Sequence, residues 1–110
     1  MTIEPDSVAD GLGAPFAGRW TLAITRRLLH GIVLLDDPTI LAGLRFAMER
    51  LKQVVEPAGA AALAAVLAGR VAIEDGERVA VIVSGGNVEM SRLGDLLAAA
   101  GTLPGAGDPA

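Results

Sequence analysis

Apolar positions along the chain change spacing several times, and each change marks an element. Trp20, Ile24 and Leu28 recur every four positions, which puts them on one face of a helix over residues 19–30, with Gly31 placed to supply a left-handed stop. Residues 31–35 then run Gly-Ile-Val-Leu-Leu without a polar break, the pattern of a strand buried on both faces. Asp36-Asp37-Pro38 closes that run; Asp37 is suited to cap a following helix, with Pro38 at its first position. That helix, residues 38–52, places Leu41, Leu44, Met48 and Leu51 on one stripe, leaving Arg45, Glu49 and Arg50 for the wetter side. After Glu56-Pro57 a third helix, almost wholly of small apolar residues, runs to a stop at Gly69. Such a helix is buried most of the way round and lets other backbones approach closely.

A charged connection over residues 70–78 leads to Val79-Ala80-Val81-Ile82-Val83, a second buried-strand pattern, which opens into Ser84-Gly85-Gly86-Asn87. In open α/β sheets ligands sit at the carboxyl ends of strands, so this loop is the candidate site. Residues 90–100 form a last helix ending at Gly101, residues 102–110 have the composition of a frayed tail, and residues 1–18 are loop-like. Two doubly buried strands cannot cover each other's faces and edges, and a short third strand near Val71 to Ile73 does not cure this. The pattern is therefore that of part of a doubly wound, mostly parallel α/β sheet with flanking helices, whose other strands are not encoded in these residues.

Composition narrows the function. The 110 residues suffice for one domain, and a 52% hydrophobic content makes them apolar enough to expect a partner for some of that surface. A net charge of −4, with one Trp, two Phe and no Tyr, argues against nucleic-acid binding. The absence of Cys excludes disulfides, thiolate metal sites and cysteine nucleophiles, and fits a cytoplasmic location. The acidic start is unlike a signal peptide, and the longest uncharged run is too short for a membrane span of ~20 residues. Gly11-Leu12-Gly13 is no phosphate loop, because Arg19-Trp20 stands where Lys and Ser or Thr would be needed and no strand precedes it. His30, the lone histidine, lacks triad or metal partners and reads as a capping or surface residue; Asp36-Asp37 reads as helix capping rather than as a metal site.

Three blocks carry a resemblance: Ser7-Val8-Ala9-Asp10-Gly11-Leu12; then the stretch from Glu49 to Ala62 containing Lys52 and Glu56-Pro57-Ala58-Gly59; then Val81-Ile82-Val83-Ser84-Gly85-Gly86-Asn87-Val88. In this order and spacing they resemble the C-terminal part of the pyridoxal-phosphate-dependent serine/threonine dehydratases, a group that includes serine racemase. The resemblance implies the fold type II α/β architecture, with residues 1–101 as the last portion of the large, cofactor-binding (tryptophan synthase beta-like) domain. It implies that Ser84 hydrogen-bonds the pyridine nitrogen of pyridoxal 5'-phosphate. A hydroxyl cannot hold that nitrogen protonated as a carboxylate would, which suits elimination of a β-hydroxyl followed by loss of ammonia to give a 2-oxo acid. Gly85 and Gly86 would let the backbone pass close to the ring. Glu56 matches a glutamate near the ring, Asp10 and Gly11 a turn on the substrate side, and Lys52 and Asn87 positions that contact ATP in racemase relatives.

The same resemblance implies parts that these residues lack: the lysine that binds the cofactor covalently, a glycine-rich phosphate loop and the metal carboxylates. Lys52 is the sole lysine and is matched to another role; its local role is to neutralise a helix C-terminus through Glu49 or the dipole. Glu56 can also act as the N-cap of the third helix, and the Ser84–Asn87 stretch on local grounds is an ordinary turn. One neutral hydrogen bond contributes ~1 kcal/mol and micromolar affinity needs roughly 8 kcal/mol, so Ser84 alone does not hold the cofactor. The expectation is a C-terminal fragment of a dehydratase, a gene remnant or one chain of a split enzyme, with no catalytic residue of its own and inactive alone. Threonine, serine and 3-hydroxyaspartate all remain open as the parent's substrate. The alternative is a non-enzymatic interaction module that joins a complementing chain or itself.

Overall fold

Leu44 and Ala47 on one helix and Ala60 and Ala64 on the next have no solvent exposure, and the rest of the chain is arranged around that contact. The structure is a computed structural model that describes residues 2–102, so all of the expected tail at 102–110 except Thr102 lies outside the described residues. Its elements are a 3-10 turn at Asp10–Leu12, then α1 (Arg19–Leu28), α2 (Asp37–Glu49), α3 (Pro57–Leu67) and α4 (Met90–Ala99). The α2–α3 pair forms the centre, α4 packs on α2, and the 3-10 turn packs on α3. Leu41, Val55, Leu63, Leu93 and Ala100 complete the buried cluster.

The small residues of α3 determine how close the pair comes. A Cβ placed on Gly43 of α2 would lie 2.9 Å from Ala64 Cα, so the helices meet backbone to backbone. Helix boundaries follow local chemistry. At the start of α2 the cap is Asp36, not Asp37: its carboxylate accepts the Thr39 N–H at 3.0 Å, and Pro38 falls at the second helical position. Thr39, through its side chain first and its N–H second, holds the Asp36 carboxyl below its ordinary pKa. Asp37 instead accepts from the Ser7 hydroxyl at 2.5 Å and the Val8 N–H at 3.1 Å, tying the N-terminal segment to α2. α2 ends earlier than the stripe predicts, so Leu51 is left 44% exposed. Lys52 there adopts a left-handed φ of +57°, and the Gln53 N–H turns back to Ala47 O at 3.0 Å. α3 ends as expected, with Gly69 at φ +70° just beyond its cap.

Two further expectations need correction. α1 stops at Leu28, with Leu29 already extended, so Gly31 is not its cap and His30 lies beyond it. Its periodic face is uncovered: Trp20 is 73% and Leu28 73% exposed, and α1 packs on no other helix among the described elements. The strands expected at 31–35 and 79–83 form no ladder among the described residues, nor does the short one at 71–73. Ile32, Leu34 and Ile82 are about four-fifths exposed. The cause is the one the pattern implies: a strand buried on both faces needs neighbours on both sides, and no described segment supplies them. The outcome is a slab of 44 × 39 × 19 Å with a radius of gyration of 14.8 Å, against about 13 Å for a compact domain of this size.

Candidate functional site

The loop that ends the 79–83 segment lies directly on the N-terminal half of α3. Gly59 is buried, and a Cβ added to it would overlap the carbonyl oxygens of Ser84 and Gly85. Gly85 takes φ +82°, a conformation L side chains rarely adopt, and a Cβ there would run into the Glu56 carboxylate, whose Cδ would be 3.2 Å away. The Glu56 N–H donates to Gly85 O at 3.2 Å, and a Cβ on Gly86 would meet Val54 O at 2.9 Å. The loop is thus held by backbone contacts to residues 54–59. Ser84, Gly85, Gly86 and Asn87 remain exposed on its other side.

Glu56 has the N-cap position of α3, but its side chain makes no capping hydrogen bond, contrary to the capping role read from the sequence. The carboxylate turns outward between two glycine turns. It faces Gly85 on one side; on the other, Gly11 lies where an added Cβ would be 3.7 Å from Glu56 Oε2 and 2.9 Å from Ala58 Cβ. Asp10 and Gly11, Glu56, and the Ser84–Gly86 backbone, residues from three distant parts of the sequence, therefore meet at one place. Lys52 and Asn87 are not joined by any hydrogen bond among the described residues. Glu49 pairs with Arg45 at 2.9 Å, so the expected Lys52–Glu49 pairing gives way to an ordinary i, i+4 bridge.

Two residues at this place were not singled out from the sequence. Gly59 was legible only as one more small residue of α3. Arg92, in the first turn of α4, donates to Asp10 Oδ2 at 3.0 Å and to Val8 O at 3.5 Å. A cation in the first turn of a helix directly after the loop is the signal that points to it, because the helix N-terminus disfavours positive charge. Chemically the arrangement is an open shelf: one hydroxyl, a glycine surface without side chains, and a carboxylate at its edge. A separate groove of about 240 Å³, lined by residues including Pro5, Leu12, Val33 and Ile40, shares no residue with the shelf and has no titratable lining group. Among the described residues no His, Asp or Glu cluster could hold a metal, and no helix is long and apolar enough to cross a membrane.

Comparison with known proteins identifies the family. A family model described as pyridoxal-phosphate dependent enzyme matches residues 2–85. A putative threonine dehydratase of Sinorhizobium fredii is 43% identical over 89 residues, which are 79% of this chain and 26% of that protein. An L-threo-3-hydroxyaspartate ammonia-lyase of a Pseudomonas species is 37% identical over 84% of this chain and 29% of its own length. The solved structure of maize serine racemase superposes with a TM-score of 0.69 at 34% identity, covering 84% of this chain and 29% of that one. The chain thus spans between a quarter and a third of the length of these relatives. With a family match over most of its residues, and with that match ending on the glycine loop at Gly85, the chain belongs to the pyridoxal-phosphate dependent enzymes.

Proposed function

We propose that these residues form one wall of a pyridoxal-phosphate site in a serine/threonine dehydratase-like enzyme, with Ser84 directed to the pyridine nitrogen. The observation that carries this reading is the meeting of Asp10-Gly11, Glu56 and the Ser84–Gly86 backbone on one shelf. The donor set fits one edge of a flat heteroaromatic ring: a hydroxyl that can donate to a ring nitrogen, and glycines that leave room for the ring. It does not fit a phosphate, because the helix after the loop is preceded by the Glu89 carboxylate and the loop has no cation. The bound cofactor would supply the electron sink for elimination of water from L-threonine or L-serine, with ammonia released and a 2-oxo acid formed. Ser84 would keep the ring nitrogen unprotonated while donating its own hydrogen bond. Glu56 would border the ring, and Asp10-Gly11 the substrate side.

In this reading the covalent lysine and the phosphate cradle come from other polypeptide, whether on the same chain or on a second one, and the 110 residues by themselves release no product. The test is to supply pyridoxal phosphate and L-threonine or L-serine to the 110-residue chain, alone and with a polypeptide carrying the lysine and phosphate loop. The expected result is 2-oxo acid only from the combination, with Ser84→Ala weakening cofactor affinity about 2- to 10-fold, the value of one neutral hydrogen bond. Product from the chain alone, or no effect of Ser84→Ala, would overturn it. The exposed apolar face of α1 and the unpaired runs at 31–35 and 79–83 favour a second reading, association with a complementing chain or with itself. Light scattering after size exclusion distinguishes a defined oligomer from a monomer.

A further inference from the structure

Arg92 has no role assigned so far, and it lies seven positions beyond the end of the family match at Gly85. It is placed where its own helix does not favour it. α4 is preceded by Glu89 and begins at Met90, so a guanidinium at position 92 sits in the first turn, against the positive end of the helix dipole. Its contacts lie elsewhere, across 82 residues of sequence, on the Asp10 carboxylate at 3.0 Å and the Val8 carbonyl at 3.5 Å. The segment it grips is also held by α2, where Asp37 accepts from the Ser7 hydroxyl and the Val8 N–H. The 3-10 turn that follows is closed by Leu12 N–H to Ala9 O and Gly13 N–H to Asp10 O, both at 2.9 Å. Gly11 in that turn abuts Ala58 and Glu56, and Glu56 abuts Gly85.

We propose that Arg92 is a positioning residue: by holding Asp10 from the first turn of α4, it fixes the spacing between the Asp10-Gly11 turn and the Ser84–Asn87 loop, with Glu56 as the spacer between them. The role rests on the cofactor-wall reading above, but the mechanical claim is testable without any cofactor. α4 leaves the loop within three residues of Asn87, so a tie from α4 to Asp10 closes a ring: loop, α4, Arg92, Asp10-Gly11, Glu56 and back to Gly85. Without the tie the N-terminal turn keeps its hydrogen bonds to Asp37 and its packing on α3 but loses its link to α4, so its spacing from the loop is less well held. The ion pair is exposed, so its effect is local and sensitive to salt rather than a contribution to global stability.

The experiment is amide hydrogen exchange on the full 110-residue chain without cofactor. Arg92→Met is expected to speed exchange of the Leu12 and Gly13 amides, and of the Glu56 amide bonded to Gly85 O, by roughly 2- to 5-fold. The Leu63 amide inside α3 should be unchanged. Arg92→Lys, which keeps one charged contact to Asp10, should restore at least half of the protection, and so should the charge-reversed pair Asp10→Arg with Arg92→Asp. Raising salt to about 1 M should bring the unmodified chain to the Arg92→Met rates. Unchanged Leu12 and Gly13 exchange in Arg92→Met would overturn the proposal, as would a rise of equal size at Leu63, which marks general destabilisation. Failure here with a positive Ser84→Ala result would remove the tie and leave the cofactor wall standing; the reverse outcome would do the opposite.

Discussion

Gly59 of α3 lies so close to the carbonyl oxygen of Ser84 that a methyl group at position 59 would overlap it. The candidate loop is therefore seated on a helix backbone, not suspended from side chains. Gly59→Ala should displace the loop rather than be absorbed, since both parties to the clash are backbone. The expected cost is about 1–3 kcal/mol of stability, the range for overpacking, even though alanine is the better helix former. Chemical denaturation measures it, with Ala62→Gly at an exposed position of α3 reading the helix-propensity difference of about 1 kcal/mol by itself.

Gly85→Ala meets two obstacles, a φ of +82° and the Glu56 carboxylate. Left-handed backbone alone costs an alanine about 1–2 kcal/mol. In the double variant with Glu56→Ala the steric part disappears and the conformational part stays. The two single losses should consequently exceed the loss in the double variant, and a denaturation cycle over the four proteins reads that difference.

Lys52 carries the opposite lesson, because it holds φ +57° without being glycine. Lys52→Gly removes the strain and should stabilise the chain by up to about 1 kcal/mol, with the Gln53 to Ala47 turn retained. Thermal midpoints of the two proteins check this, and a fall in midpoint would mean that the lysine side chain contributes more than the strain it imposes.

Acid sensitivity should trace in part to Asp36. Its carboxyl is held below the ordinary value of 3.8 by Thr39, through the side chain first and the N–H second. A depressed folded value means that the capping contribution is complete above the unfolded pKa and is lost as pH falls through the lower, folded one. Asp36→Asn keeps a capping oxygen but does not titrate, so its stability should fall less between about pH 5 and pH 2 than that of the unmodified chain. Parallel slopes in that interval would refute the assignment.

Legibility from sequence followed the range of the interactions. The α3 and α4 helices and the Gly69 stop are readable because their signals are local: Pro57 at the first position of α3, and Gly69 and Gly101 just past the two ends. The cap of α2 slipped by one residue because Asp36 and Asp37 are equally good caps, and only the tertiary bonds from Ser7 and Val8 decide that Asp37 is used elsewhere. Glu56 looked like a cap for the same local reason, and its turn toward Gly85 depends on chain 29 residues away. The expected strands failed differently. Val79 to Val83 has the residues of a strand, but a ladder is a property of two segments, and one segment's sequence cannot supply the other. The shelf was reached through matched motifs; Arg92, which contacts a residue 82 positions away, was not.

The apolar side chains left bare on α1 and on the unpaired runs at 31–35 and 79–83 also set how this chain responds to heat. Trp20, Leu28, Ile32, Leu34 and Ile82 are each more than 70% exposed before unfolding begins, so melting adds little new apolar surface from them. The heat-capacity increment of unfolding should then lie below the ~1.3–1.7 kcal/mol/K usual for 110 residues, giving a flatter stability curve. The single tryptophan, already in water, should report almost none of the transition by its fluorescence.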